Sequence, residues 1–342
     1  MTWLMHLRRR AKPEVSPGET ASASTTRPRI VDWRLALAVT GVAGLLLLSL
    51  AVGQYDIVGQ DDGWAMFRTT RVPRTLALVL AGAAMAMSGL IMQVLTQNRF
   101  VEPTTTGTTE WAGLGLLATF VFAPHASIML RMVVAVGFAF VGTMIFFAFL
   151  RRVRLRSSLI VPIVGIMLGA VVSAVSTFWA LQTDLLQSLG IWFAGSFTSV
   201  IAGQYEVLWV VLVVVIAVFA YADRLTLAGL GEDVTTNLGL NYQRVLLAGT
   251  AMVAVAAGVV TVVVGNLPFL GLIVPNIVAL VRGDDLRSNL AWVCLVGIAI
   301  VTVCDIVGRT IIAPFEMPVS VILGVIGAVV FIALIVGQSR RE

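Results

Sequence analysis

The sequence predicts an all-α polytopic membrane protein with about ten transmembrane helices. Three observations carry that expectation. Hydrophobic residues make up 58% of the 342 and charged residues only 12%, and the mean hydropathy is +0.97. Such a chain has too little polar surface to cover a water-soluble core. Runs such as 207–221 and 246–265 are continuously apolar instead of alternating. With no water in the hydrocarbon core, spans are helices or closed barrels, and unbroken apolar runs favour helices.

Taken in order, the spans fall at 34–52, 76–95, 107–122, 128–150, 159–181, 205–221, 245–265, 269–281, 290–310 and 318–337. The second is introduced by Arg71-Val-Pro-Arg74. The third and eighth are short, and the eighth contains Pro275. The fifth carries Pro162 in its first turns, where a missing amide hydrogen costs little. A short helix is expected within 184–199, and a polar segment at 223–243 interrupts the spans. Small residues recur four apart at Gly82/Ala86, Gly165/Gly169 and Gly324/Ala328, with Ser88 and Gly89 adjacent. That spacing lets helix backbones approach closely.

Residues 1–30 form a basic tail rich in Ser, Thr and Pro, expected to be disordered and cytoplasmic. Residues 31–342 form the transmembrane domain. Arg8–Arg10 suggest a twin-arginine signal, but the apolar run begins too far downstream for a signal core. An even number of spans places both termini on one side. With the N-terminus inside, about 18 of the 23 Lys and Arg fall in inside segments. The localisation expected is a plasma membrane with both termini cytoplasmic. Arg68, Arg71, Arg74, Arg131 and Arg309 then lie outside, against the trend.

The net charge of +5 sits beside span ends, so it reflects topology and not nucleic-acid binding. The one lysine, Lys12, follows no glycine-rich loop, so the chain has no P-loop for ATP. Cys294 and Cys304 lie ten residues apart in one run, about 15 Å on a helix. That exceeds disulfide reach. Asp305 is the clearest intramembrane carboxylate, and Arg309 one turn on suits an ion pair. Both histidines, His6 and His125, lie outside the spans, so an ion-coupled carrier lacks its usual parts. No His, Cys or carboxylate cluster supports an enzyme.

Four stretches then act together. They are Arg71-Val-Pro-Arg74 leading to Ala81–Gly89 and Gln93; Gln97-Asn-Arg-Phe-Val-Glu-Pro-Thr-Thr-Thr-Gly107; Gly231-Glu-Asp-Val-Thr-Thr-Asn-Leu-Gly239; and Asn266-Leu-Pro-Phe-Leu-Gly-Leu-Ile-Val-Pro-Asn276. The last continues through Arg282-Gly-Asp-Asp285, Asp305-Ile-Val-Gly-Arg309 and Phe315-Glu-Met-Pro318. Their order and spacing over 34–338 resemble the FecCD-type permeases, membrane subunits of type II ABC importers for iron siderophores, haem and cobalamin. Asn276 stands where most of that family resembles Pro-His. Arg99-Phe-Val-Glu-Pro-Thr-Thr stands where many relatives resemble Pro-Leu-Ala-x-Pro. Both departures resemble the branch that imports ferric catecholate siderophores of the petrobactin type. Haem or cobalamin is the alternative cargo within the family, and an ion-coupled secondary carrier the alternative outside it.

The resemblance implies partners and roles. Arg71, Arg74 and Arg309 match the arginines that dock two glutamates of an extracytoplasmic siderophore-binding protein. Guanidinium forks suit carboxylates, and internal pairing with Asp305 is the competing use of Arg309. Segment 227–240, with Gly231, Glu232, Asp233, Leu238 and Gly239, matches the coupling helices that enter a cleft on an ABC ATPase. Asn98, Phe100, Ser157 and Ser158 match the cytoplasmic gate. On the fifth span Ser173, Ser176, Thr177 and Ala180 share a helical face. The first three are expected to line the pathway or to bond their own helix backbone. No cofactor or metal is expected on this chain. ATP and Mg belong to the ATPase, and a second permease subunit, identical or homologous, completes the assembly.

Overall fold

The structure, a computed structural model, describes residues 33–53, 62–152 and 160–339. The tail and the gate positions Ser157 and Ser158 lie outside the described residues. Among those described, all regular structure is helical. The helices are α1 (Trp33–Ala51), α2 (Gly63–Met66), α3 (Val72–Thr96), α4 (Thr108–Phe122), α5 (Ile128–Arg152), α6 (Ile160–Gln182), α7 (Leu186–Phe193), α8 (Trp209–Ala228), α9 (Glu232–Asn237), α10 (Tyr242–Val263), α11 (Leu270–Arg282), α12 (Leu286–Thr310) and α13 (Val319–Ser339). Seven helical stretches are long and apolar enough to cross a membrane. The shorter α4 and α11, together with α13, bring the expected spans to ten.

Two expected boundaries move. The second span does not begin at Leu76: a π-helical turn, Phe67–Arg71, joins α2 to α3 without a break. Pro73 sits in the first turn of α3, where its missing amide hydrogen costs nothing. The polar segment expected from residue 223 starts later, because α8 continues to Ala228. Arg224 lies over the Tyr221 ring and Arg287 holds Asp223, so these charges sit on a helix end instead of breaking it.

Helix α3 is the hub. It is the most buried of the long helices and packs on α8, α10, α11 and α12. The physical reason is its Ala81–Gly89 stretch. Helix association in lipid rests on close van der Waals packing of small residues. A Cβ on Gly82 would lie 3.0 Å from the Ile298 Cα, and one on Gly89 would lie 1.9 Å from the Gly271 carbonyl oxygen. Gly165 and Gly169 likewise admit the backbones of Thr105 and Gly107. Gly324 meets nothing within 4 Å, so the contact expected there is absent; Gly327, one turn on, receives Phe269.

Helices α4 and α11 are short because irregular backbone enters the bundle before each. Segment 97–107 precedes α4, and segment 264–269 precedes α11. Irregular backbone survives at membrane depth only where protein covers it. Val101, Glu102, Thr106, Val264 and Leu267 are all buried. At the other extreme, α1 is almost wholly exposed along its length. It touches α12 and α3.

Candidate functional site

The polar residues collect at two ends of the bundle. At the first end, the C-terminus of α12 meets the start of α3 and the segment before α13. Arg74 directs its whole fork inward. Its Nε and Nη2 donate to Asp305 Oδ1 at 3.1 and 2.7 Å. Its Nη1 and Nη2 donate to Glu316 Oε1 and Oε2 at 3.1 and 2.9 Å. Arg309 pairs with the other oxygen of Asp305 at 2.8 Å. It also donates to Ser49 Oγ at 2.7 Å and to the carbonyls of Ser49 and Val52 at 3.1 and 2.7 Å. Thr198 Oγ1 donates to Glu316 Oε2 at 2.6 Å. Arg71 donates from Nη1 to the carbonyls of Leu50 and Ala51 at 2.9 and 3.3 Å.

Two buried arginines thus meet two acids, and the network is internally neutral. The Asp305 side chain is fully buried and that of Arg74 is 14% exposed, whereas Glu316 keeps 27%. Burial opposes ionisation of Glu316, but the hydrogen bonds from Arg74 and Thr198 outweigh it and hold the carboxyl below its usual range. Arg71 and Arg309 both cap the outgoing carbonyls of α1. Orphan carbonyls of a helix end are satisfied in this way. The sparsely packed α1 is therefore fastened mainly at this end.

The sequence expectation brought Arg71, Arg74 and Arg309 together, and they do converge. In this structure the forks of Arg74 and Arg309 are engaged within the chain. Internal pairing, the competing use weighed for Arg309, occurs and extends to Arg74. Glu316 and Thr198 were missed as partners. Glu316 stood inside the Phe315–Pro318 motif but carried no spacing signal, since Arg74 lies 242 residues away.

At the second end, α9 forms a short helix between tight turns. Gly231 before it has φ +99° and Gly239 after it has φ +84°, backbone that only glycine adopts cheaply. Glu232 and Asp233 occupy its first turn, where the helix dipole favours acids. Thr235 is buried and donates to the carbonyls of Leu227 and Gly231 at 2.7 and 2.6 Å. Val234 and Leu238 are 44% and 57% exposed, as is Leu230 nearby at 55%. The element is pinned by one threonine and shows an apolar edge.

Segment 97–107 leads from this end into the bundle. Asn98 and Phe100 are buried, and Asn98 Oδ1 accepts from the Phe100 amide at 2.9 Å. The Phe100 ring meets Phe331 edge-on at 5.8 Å. Asn276 donates from Nδ2 to the Arg99 carbonyl at 2.9 Å and to its own helix at Leu272. Beyond Phe100 the chain folds on its own hydroxyls, with Thr105 and Thr106 bonding the Glu102 carbonyl.

On α6, Ser173, Ser176 and Thr177 line one cavity of about 340 Å³ with Glu110, Leu189 and Phe193. Ser173 and Thr177 are exposed, whereas Ser176 is buried and its Oγ has no partner among the described residues. Ala180 is buried under α4 and α7, packed with Leu117 and Leu189.

A bundle with two broken spans, a charged end and a pinned short helix at the other defines a multi-span transport permease. The fold agrees with a solved metal-chelate type ABC transporter in an inward-facing conformation. The TM-score is 0.76 at 24% identity, over 89% of this chain and 99% of that one. A model of the FecCD transport family matches residues 36–337, and the chain belongs to that family. It is 61% identical over 304 residues to the petrobactin import system permease protein FatD of Bacillus anthracis, covering 89% of this chain and 91% of the relative. It is 43% identical over 307 residues to the petrobactin import system permease protein YclN of Bacillus subtilis strain 168, covering 89% and 95%.

Proposed function

We propose that this chain is the membrane-spanning permease subunit of an ATP-binding-cassette importer for a ferric catecholate siderophore of the petrobactin type. The observation that carries this reading is the 61% identity to a petrobactin permease along nine-tenths of both chains. The cargo-branch residues Asn276 and Thr104–Thr106 support the same reading. The chain performs no covalent chemistry. ATP and Mg act on a separate ATPase, and a second permease subunit closes the pathway.

The charged end faces outward and both termini face the cytoplasm, as the arginine distribution favours. Arg71, Arg74 and Arg309 form the docking end for an extracytoplasmic binding protein. Glu316 is the reachable member of the network, so an incoming carboxylate exchanges with it on Arg74. Exchanging one acid for another leaves no buried charge unpaired, which keeps the step cheap. At the cytoplasmic end the exposed edge of Val234 and Leu238, with Gly231, Glu232, Asp233 and Gly239 shaping it, seats in the ATPase. Asn98 and Phe100 are members of the cytoplasmic gate, a role shared with Ser157 and Ser158. Ser173, Ser176 and Thr177 line a weakly binding pathway.

The test uses vesicles holding the permease, its ATPase and the binding protein. Import of the iron-labelled chelate should require ATP and survive collapse of all ion gradients by ionophores. Import that persists without the ATPase but stops with the ionophore is the behaviour of an ion-coupled carrier and would overturn the reading.

A further inference from the structure

Segment 97–107 is fastened at three levels as it enters the bundle. At its base Gln97 donates from Nε2 to the Gly229 carbonyl at 3.0 Å, at the start of the 227–240 segment. Midway, Asn276 holds the Arg99 carbonyl. At the top, the Phe269 amide donates to Glu102 Oε1 at 2.8 Å. The two upper ties land on one rigid element, α11. Arg99 and Phe100 lie in a turn, with the Val101 amide on the Asn98 carbonyl at 3.4 Å. The segment is therefore tied to α11 at two points, Arg99 and Glu102.

Glu102 is the unusual member. It is 0% exposed. No basic side chain is paired with it among the described residues; it is met instead by the Thr104 hydroxyl and the N-terminus of α11. A carboxylate is favoured there by the helix dipole. Its second oxygen, Oε2, makes no hydrogen bond of normal geometry among the described residues, although the Gly271 and Leu272 amides also face the carboxyl. The same oxygen lies 3.1 Å from where a Cβ on Gly271 would stand, and Gly89 Cα lies 2.9 Å from that point. Three backbones are pressed together around this one acid. Asn276 is one of the two departures that read, in the sequence, as marks of cargo, and Glu102 lies within the stretch that holds the other, at the position the family pattern leaves open. The structure puts both on the same join, away from the Ser173–Thr177 cavity.

We propose that Glu102 is a positioning residue of the transport cycle: with Asn276 it fixes segment 97–107 to α11 as a strut between the ATPase-facing segment and the transmembrane helices. The proposal rests on the permease reading above. Displacement of Gly229 pulls on Gln97, and a segment clamped twice cannot pivot, so α11 moves with it. Phe269 sits over Gly327, and Phe100 and Phe269 both face Phe331, so α13 follows. With one clamp lost, the segment pivots on the other and hydrolysis no longer moves the helices.

The test compares chelate imported per ATP hydrolysed in vesicles of the complete complex. Glu102→Gln keeps volume and one acceptor but places an NH₂ among helix N-terminal donors. It should lower the ratio about tenfold while hydrolysis continues. Asn276→Ala should lower it about threefold. The double variant should be no worse than Glu102→Gln, because the clamps act as one. Glu102→Asp, which retains the charge, should recover part of the ratio. A wild-type ratio in Glu102→Gln, or a parallel loss of hydrolysis and transport in every variant, would overturn the proposal. If Glu102→Gln fails to assemble, Thr104→Val reads the same join, and an unchanged ratio there would also overturn it. If the wild type hydrolyses ATP but moves no chelate, the transport reading fails by itself. The strut is then read by whether Glu102→Gln abolishes stimulation of hydrolysis by the binding protein.

Discussion

The two ends of the bundle solve the same problem with different chemistry. At the α12 end, buried polar groups are satisfied by full charges: Arg74, Arg309, Asp305 and Glu316 close on one another across helices far apart in sequence. At the α9 end, amides and hydroxyls bond backbone carbonyls instead: the exposed Gln97 on Gly229, the buried Asn276 on Arg99 and the buried Thr235 on Leu227. Ion pairs can exchange partners with another charged protein. Neutral bonds to backbone cannot be competed away by an acidic side chain, and they follow the backbone when it moves. The first chemistry suits an end that recognises a partner; the second suits an end that transmits force.

The comparison breaks most readily at Asp305. Asp305→Ala leaves two buried guanidinium groups without their shared acid, a loss of about 3–5 kcal/mol. Thermal unfolding of the detergent-solubilised chain should show a large drop; an unchanged midpoint would mean the charged end is not held by this network. Next is Arg74→Glu. It sets a third acid beside Asp305 and Glu316, so it should both destabilise the chain and abolish docking. Arg71→Glu separates the two effects. It disturbs α1 capping and should weaken binding-protein affinity about tenfold with a far smaller stability loss, read by surface binding and thermal unfolding together.

At the other end, Leu238→Asp alters an exposed side chain. Stability should change by less than about 0.5 kcal/mol, yet co-purification with the ATPase should fail. The smallest effects concern titration and exposed pairs. The Glu316 pKa is lowered in the folded chain by the hydrogen bonds from Arg74 and Thr198, so its contribution is complete above the ordinary carboxylate value and fades only as pH falls through the lower folded one. The Glu316 contribution to docking should therefore be flat from pH 8 to about 5. Arg99→Ala removes an exposed ion pair with Asp284 and should cost no more than about 1 kcal/mol.

Much of the fold was legible because a span is a local property. Twenty apolar residues in a row declare a helix without reference to anything else, and the ends of α5, α6 and α12 fall within a few residues of expectation. The departures occurred where tertiary contacts override composition. Asp223 and Arg224 read as loop, but a partner on α12 and a ring on α8 let the helix run through them. The site was legible in part. Positive charge on the wrong side flagged Arg71, Arg74 and Arg309, because topology makes such residues rare. What they bind was not legible, since Glu316 and Ser49 reach them only through folding. Glu102 stood inside a quoted motif but was not singled out. Its seat on the N-terminus of α11 depends on a backbone from 167 residues away, which no spacing rule encodes.

The most direct measurement is iron-radiolabelled uptake into cells lacking this chain, with ferric catecholate, ferric hydroxamate and labelled cobalamin offered in parallel. The account predicts selective loss of the catecholate, restored by the intact gene. Loss of hydroxamate or cobalamin uptake, with catecholate uptake intact, would contradict it.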